Sequence, residues 1–161
     1  MAKSKSEFYE APLGLHFSNI AKQYIGVVSN KLSSLEIDRY FYSLVVIDRF
    51  GDSLSQQQLA DLLCIDKVSV VRIVDYLTKK GFVKRKQNKE DRREHFLSLT
   101  EKGKKHIPEI KKALEEANQA TLKSFTSEEQ KLFHSLIQKV VNNLSVLPAD
   151  KVDLNFRKIK K

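Results

Sequence analysis

The chain has 161 residues, 41% of them hydrophobic, and its 29 lysines and arginines outweigh 20 aspartates and glutamates to give a net charge of +9. This is one domain-sized unit able to build a core, and five glycines with three prolines leave room for few loops, so a mostly helical chain is expected. No apolar run reaches the roughly 18 residues of a spanning helix, the first seven residues lack the apolar stretch of a signal peptide, and a single cysteine excludes an internal disulfide, so a cytoplasmic protein is expected.

Residues 1–12 are polar and expected to fray. Leu13, Phe17, Ile20, Tyr24, Val27 and Val28 then recur at helical spacing and predict a first helix to about Leu32. Ser33-Ser34-Leu35-Glu36 has the form of a capping box and predicts a second helix carrying Ile37, Tyr40, Phe41, Leu44 and Val45, ended by Gly51-Asp52.

Ser55 is a good N-cap with Gln58 three residues on, and a short apolar stripe of Leu59, Ala60, Leu62 and Leu63 follows. Cys64-Ile65 breaks that helix. Asp66 caps the next, which runs to about Lys80, where Gly81 supplies the stop. At 100° per residue Val70, Ile73, Val74 and Leu77 point inward. Val68, Arg72, Asp75 and Lys79 point outward, with Ser69, Val71 and Tyr76 on the flanks. Two short helices about a tight turn, the second with a small, apolar and basic outer face, form the helix-turn-helix pattern.

Phe82–Arg85 and His95–Leu99 read as a hairpin around the polar, basic loop 86–93. Alone, such a charge run is a solvated surface; directly after a helix-turn-helix it reads as a wing lying along DNA. Thr100 caps a long helix with Ile107, Ile110, Leu114 and Ala117 inward, and Pro108 is expected to kink it or mark a late start. Thr126 and Glu129 form another capping box, opening a last helix striped by Leu132, Phe133, Leu136, Ile137, Val140, Val141 and Leu144 and closed by Pro148. The tail from Ala149 ends in Arg-Lys-Ile-Lys-Lys.

The charge is localised. Residues 1–63 carry a net −1, residues 64–113 a net +8 and residues 114–161 a net +2. An excess confined to the second short helix, the hairpin and the start of the long helix is the footprint of a polyanion partner.

Residues 66–103 resemble the MarR (multiple-antibiotic-resistance regulator) family of winged-helix transcription factors. The resemblance rests on Val-Arg-Ile-Val-Asp-Tyr-Leu-Thr-Lys-Lys-Gly-Phe-Val-Lys-Arg (71–85), and on Glu-Asp-Arg-Arg (90–93) leading into Leu-Ser-Leu-Thr-Glu-Lys-Gly (97–103). The fold expected is mainly α with a small β-hairpin wing, a winged helix-turn-helix flanked by N- and C-terminal dimerisation helices. The divisions are 1–34, an N-terminal dimerisation helix; 35–100, a DNA-binding lobe; 101–147, C-terminal dimerisation helices; and 148–161, a basic tail. Three amphipathic helices outside a complete small core need partners, which favours a homodimer, and the resemblance implies the same.

The expected function is sequence-specific binding to double-stranded DNA as a transcriptional regulator, acting as a ligand-responsive homodimeric repressor, and no enzyme motif is present. On the second helix Lys67, Val68, Ser69, Val71 and Arg72 are the candidate contacts: Ser69 for a base edge or phosphate, Arg72 for guanine or phosphate, and the valines for thymine methyl groups. The family often has hydroxyl residues where this chain has Val68 and Val71, which shifts the expected preference toward A·T-rich sites. Gln56 and Gln57 are placed to meet phosphates, and Lys84, Lys86 and Lys89 to hold the backbone. Arg92 or Arg93 resembles the family's arginine that enters the minor groove. The rival expectation is a winged-helix interaction module for an acidic protein; exposed Ser69, Val71 and Arg72 on a groove-sized helix weigh against it.

No metal or cofactor is expected. His106 and Glu109 share a helix face but read as an exposed pair. The resemblance implies an effector cleft for a small aromatic or phenolic ligand, for which Phe17, Tyr24, Tyr40 and Phe41 are candidates, with Tyr42 and Phe50 beside them. Cys64 is expected to be a small buried filler of the turn; the family's peroxide-sensing branch has its reactive cysteine near the N-terminus, where this chain has none.

Overall fold

The computed structural model describes residues 11–87 and 95–150. Its elements are α1 (Leu13–Lys31), α2 (Phe41–Phe50), a 3-10 turn (Gly51–Ser53), β1 (Leu54–Ser55), α3 (Gln56–Leu63), α4 (Lys67–Lys79), β2 (Val83–Gln87), β3 (His95–Leu99), α5 (Glu101–Thr121) and α6 (Ser127–Ser145). The expected class, mainly helical with a small hairpin wing, is the one found.

The predicted caps form. Ser55 Oγ accepts from the Gln58 amide and the Gln58 side chain accepts from the Ser55 amide. Asp66 caps α4, Thr100 caps α5, and Thr126 with Glu129 makes the capping box of α6. Each satisfies backbone donors that a helix start otherwise leaves unpaired. Helix α4 ends as expected. Gly81 takes φ 75°, its amide donates to the Thr78 carbonyl, and Phe82 N donates to the Leu77 carbonyl, which is the Schellman stop.

The second predicted helix starts late. Residues 32–40 are turns, and the helix begins only at Phe41 with no side-chain cap. Two local facts defeat the expected Ser33–Glu36 box. Asp38 sits at φ 51°, which a right-handed helix cannot pass through, and the Glu36 carboxylate is engaged elsewhere, 3.0 Å from Lys80 Nζ on α4. Leu32 and Ile37 are buried and anchor this segment to the core.

The sheet has three strands in the order β1-β3-β2, all antiparallel. Val83 pairs with Leu99, Arg85 with Leu97 and Gln87 with His95. The first wing strand therefore runs two residues further than predicted, so Lys86 and Gln87 belong to the strand. Strand β1, which pairs Leu54 with Leu97, was not foreseen; two residues are too short to show period-two alternation.

Helix α5 runs unbroken through Pro108, so the late start does not occur. Both Pro108 and Lys104, whose carbonyl loses its amide partner, lie on the exposed side, where water can satisfy the carbonyl. Its stripe of Ile107, Ile110, Ala113 and Ala117 is buried within the chain, packed with α1 and α2. The expectation that this helix needs an outside partner is corrected. Helix α6 buries no residue, and Leu132, Leu136, Ile137, Val141 and Leu144 are exposed; so are Leu13, Leu15, Phe17, Ile20 and Val27 of α1.

Candidate nucleic-acid interface

Helix α4 docks through Val70, Val74 and Leu77, all fully buried. That docking leaves Val68, Val71, Arg72, Asp75 and Lys79 exposed on the opposite side, as the 100° spacing predicts. Val68 is 59% exposed, with Val71 exposed three residues on. Lys67 is exposed in the first turn. Ser69 is half-buried. Its amide donates to Asp66 Oδ1 at 2.9 Å and its hydroxyl to Asp66 Oδ2 at 2.6 Å, and these bonds hold the Asp66 carboxyl below its usual range. The Ser69 hydroxyl and amide thus both serve the cap of α4.

Arg85 joins the surface together, and the sequence reading passed over it. Its Nη2 lies 2.6 Å from Asp75 Oδ1 and donates to Gln56 Oε1 at 3.4 Å. One guanidinium from β2 therefore touches α4 and the start of α3. The available signal was Asp75, an acidic residue on an otherwise basic outer face, which needs a cation nearby. Gln57 Nε2 donates to Asp61 Oδ1 along its own helix. Lys84 and Lys86 are exposed on alternate residues of β2, on the strand that Arg85 ties to α4. Lys89, Arg92 and Arg93 lie outside the described residues.

The far end of α4 is fixed to α5. Thr100 Oγ1 donates to the Gly81 carbonyl at 2.6 Å, and Thr100 N donates to the Phe82 carbonyl at 3.0 Å. Lys102 Nζ donates to the Lys80 carbonyl at 2.9 Å and lies 4.4 Å from the centre of the Phe82 ring. A cation on the last carbonyls of α4 suits the negative end of its dipole. The Thr-Glu-Lys-Gly run that carried much of the resemblance is therefore a structural fastening.

Cys64 is exposed, correcting the expectation of a buried filler. It occupies the left-handed position at the end of α3, φ 53°, with its amide donating to Asp61 O and Ile65 N donating to Ala60 O. This is the arrangement Gly81 adopts after α4, and it turns the thiol outward while Ile65 packs against the core.

The effector candidates do not form one group. Phe41 is fully buried in the core, and Phe17 is exposed on α1. Tyr24 donates to Asn118 Oδ1 at 2.7 Å. Tyr40 meets Tyr76 edge-on, ring centres 5.2 Å apart. Tyr42 lies near enough to Tyr24 to feel it, and burial of its hydroxyl pushes its pKa up to about 12. His106 Nδ1 lies 3.3 Å from Glu109 Oε2, the expected side-chain pair.

A helix-turn-helix with a basic outer face and an attached hairpin defines a DNA-binding transcriptional regulator of the winged-helix class. The MarR family model matches residues 41–95. The chain is similar to a MarR transcriptional regulator from Methanosarcina mazei Go1, with 29% identity, a TM-score of 0.75, and coverage of 84% of this chain and 98% of that one. A structure titled MarR matches at 27% identity and TM-score 0.72, covering 85% of this chain and 100% of the other. A putative MarR-family regulator from Listeria monocytogenes, complexed with 26mer DNA, matches at 26% identity and TM-score 0.75, over 84% and 90% of the two chains. The chain is thus similar to MarR-family winged-helix regulators over most of its length. Among the described residues no helix is long and apolar enough to cross a membrane.

Proposed function

We propose that the protein is a homodimeric, ligand-responsive repressor that reads a pseudo-palindromic duplex through the outer face of α4. The observation that carries the reading is the exposed set Val68, Val71 and Arg72, held beside the basic strand β2 by the Arg85–Asp75 ion pair. The Listeria relative, whose structure includes DNA, supports it. Arg72 contacts guanine, Val68 and Val71 meet thymine methyls, and Ser69 meets a base edge or a phosphate. Lys67, Gln56 and Gln57 meet phosphates at the groove edge. Lys84, Lys86 and Lys89 hold the backbone, and Arg92 or Arg93 enters the minor groove.

Pairing is supported by the exposed apolar stripes of α1 and α6; these side chains are already partly covered, so covering the rest would release a fraction of the roughly 1.5–3 kcal/mol that full burial of a large side chain is worth. Two copies related by a two-fold axis place their recognition helices roughly 10 bp apart, one helical turn. A small aromatic ligand would be met by Phe17, Tyr24 and Tyr40; Phe41, being fully buried, contributes only if the core opens.

Selection of bound DNA from a random pool tests the reading directly. On the selected site Arg72→Ala should cost about 1–3 kcal/mol and relax one position per half-site, while Arg93→Ala should weaken all sequences alike. Equal weakening of specific and scrambled duplexes by Arg72→Ala, with loss of preference in Arg93→Ala, would reverse the assignment. Binding of an acidic protein with no recovery of DNA would replace it.

A further inference from the structure

We propose that Tyr76 and Lys80 are positioning residues for DNA reading: together they clasp Glu36, in the turn segment after α1, and so fix the tilt of the recognition helix. The inference rests on the reading of α4 as that helix. Tyr76 and Lys80 are one turn apart on one flank of α4. The Tyr76 hydroxyl donates to the Glu36 carbonyl at 3.2 Å, and Lys80 Nζ stands 3.0 Å from Glu36 Oε1. Both grips therefore close on a single residue, one on its backbone and one on its side chain. The Tyr40 ring, edge-on to Tyr76, adds a third contact from the same segment.

Glu36 is a firm anchor because its surroundings are fixed. Leu32 and Ile37 are buried on either side of it, and Asp38 closes the turn in the left-handed region. The Lys80 ammonium beside it holds the Glu36 carboxyl below its usual range. Tyr76, four residues from Arg72, stands on the flank of the outward face, and its hydroxyl is turned to Glu36.

The mechanical consequence follows from length. Val68 and Lys80 are twelve residues apart, about 18 Å along the axis at 1.5 Å per residue. A tilt of roughly 3° about the clasped end moves the Val68 side of the helix by about 1 Å, enough to spoil a hydrogen bond to a base edge. The clasp thus governs the fit of Val68 and Arg72 without engaging either of them. The clasp also links the end of α1 to α4, so displacement of α1 reaches the reading face through Glu36.

Charge gives the test its sign. Glu36→Gln makes the protein more cationic, and Coulomb attraction alone would tighten binding to every duplex. The clasp instead predicts that the ratio of specific to scrambled-duplex affinity falls, by about 2- to 5-fold for Glu36→Gln and about 2- to 10-fold for Tyr76→Phe. The charge swap Glu36→Lys with Lys80→Glu keeps the net charge at +9 and should restore the ratio that Lys80→Glu alone lowers. Titrations of the selected site and a scrambled duplex with the full chain supply the ratio, with thermal unfolding recorded for each variant. If Tyr76→Phe and Glu36→Gln leave the ratio unchanged while Arg72→Ala lowers it, the clasp does not position the helix and the inference is overturned. Failure of the swap to restore the ratio overturns the pairing. If Arg72→Ala also leaves the ratio unchanged, α4 is not the reading helix, and the proposed function falls with the inference.

Discussion

The Arg85 guanidinium reaches α4 through Asp75 and the start of α3 through Gln56, so one side chain sets the spacing of the elements proposed to meet DNA. Its place in a short strand beside other cations hides this role, since Lys84, Arg85 and Lys86 look alike in the sequence. Only the strand's alternation separates the half-buried arginine from its exposed neighbours. Cys64 shows the opposite error. Cysteine is usually buried, but here a left-handed helix stop decides its direction, and that conformation leaves no mark in composition. The native protein should therefore react promptly with a colorimetric disulfide reagent, at its single thiol. Reaction only after denaturant is added would mean that the thiol is covered in solution.

Gly103 shows how an element is held. A Cβ there would stand 2.3 Å from the Phe82 carbonyl oxygen, and that oxygen cannot withdraw without losing its bond from the Thr100 amide. Gly103→Ala should destabilise the fold by about 1–3 kcal/mol through overpacking, read as a lower denaturant midpoint with an unchanged slope. An unchanged midpoint would show that α5 can slide without cost. Four of the described helices could be read from capping residues, because the caps at Ser55, Asp66, Thr100 and Thr126 are local signals answered by local hydrogen bonds, and α1 from its spacing alone. The failures were non-local. Ser33 to Glu36 has the letters of a cap, yet Glu36 is drawn to Lys80, forty-four positions later, and β1 exists only because β3 offers it an edge. Of the candidate site, the outward face of α4 was legible from its 3.6-residue period, while the ties from Arg85, Lys102 and Tyr76 to other elements were not.

Across the whole molecule, α5 is the spine against which α1 and α2 are set. Lys31 of α1 pairs with Glu116 at 2.6 Å, and Asp48 of α2 pairs with Lys111 at 2.7 Å. The Lys31 partner holds Glu116 below the usual value of 4.5, as Lys80 does for Glu36, and Ser69 holds Asp66 below 3.8. A carboxyl whose pKa is lower folded than unfolded contributes stability that is present above the unfolded pKa and lost as pH falls through the folded one. Melting temperature should accordingly hold near neutrality and drop below about pH 4.5, less steeply in Glu116→Gln; a flat acid limb would show that these pairs do not persist. Salt should soften the drop, since the pairs are exposed. At the same scale, sedimentation at micromolar protein should find a dimer, with Leu136→Glu or Val141→Glu on the uncovered stripe of α6 shifting it toward monomer. A wild-type monomer that binds an asymmetric site would refute the assembly.

The two left-handed residues that bracket the recognition helix, Cys64 before it and Gly81 after it, fix where the backbone enters and leaves without involving any outward side chain. The reading face is thereby separated from the parts that mount it. Evolution or a protein engineer can exchange the letters at positions 68, 69, 71 and 72 while the seat stays the same, provided that residue 69 keeps a group the Asp66 cap can hold. A library randomised at positions 68, 71 and 72 should yield folded proteins at high frequency, each carrying a different preferred operator on an unaltered scaffold.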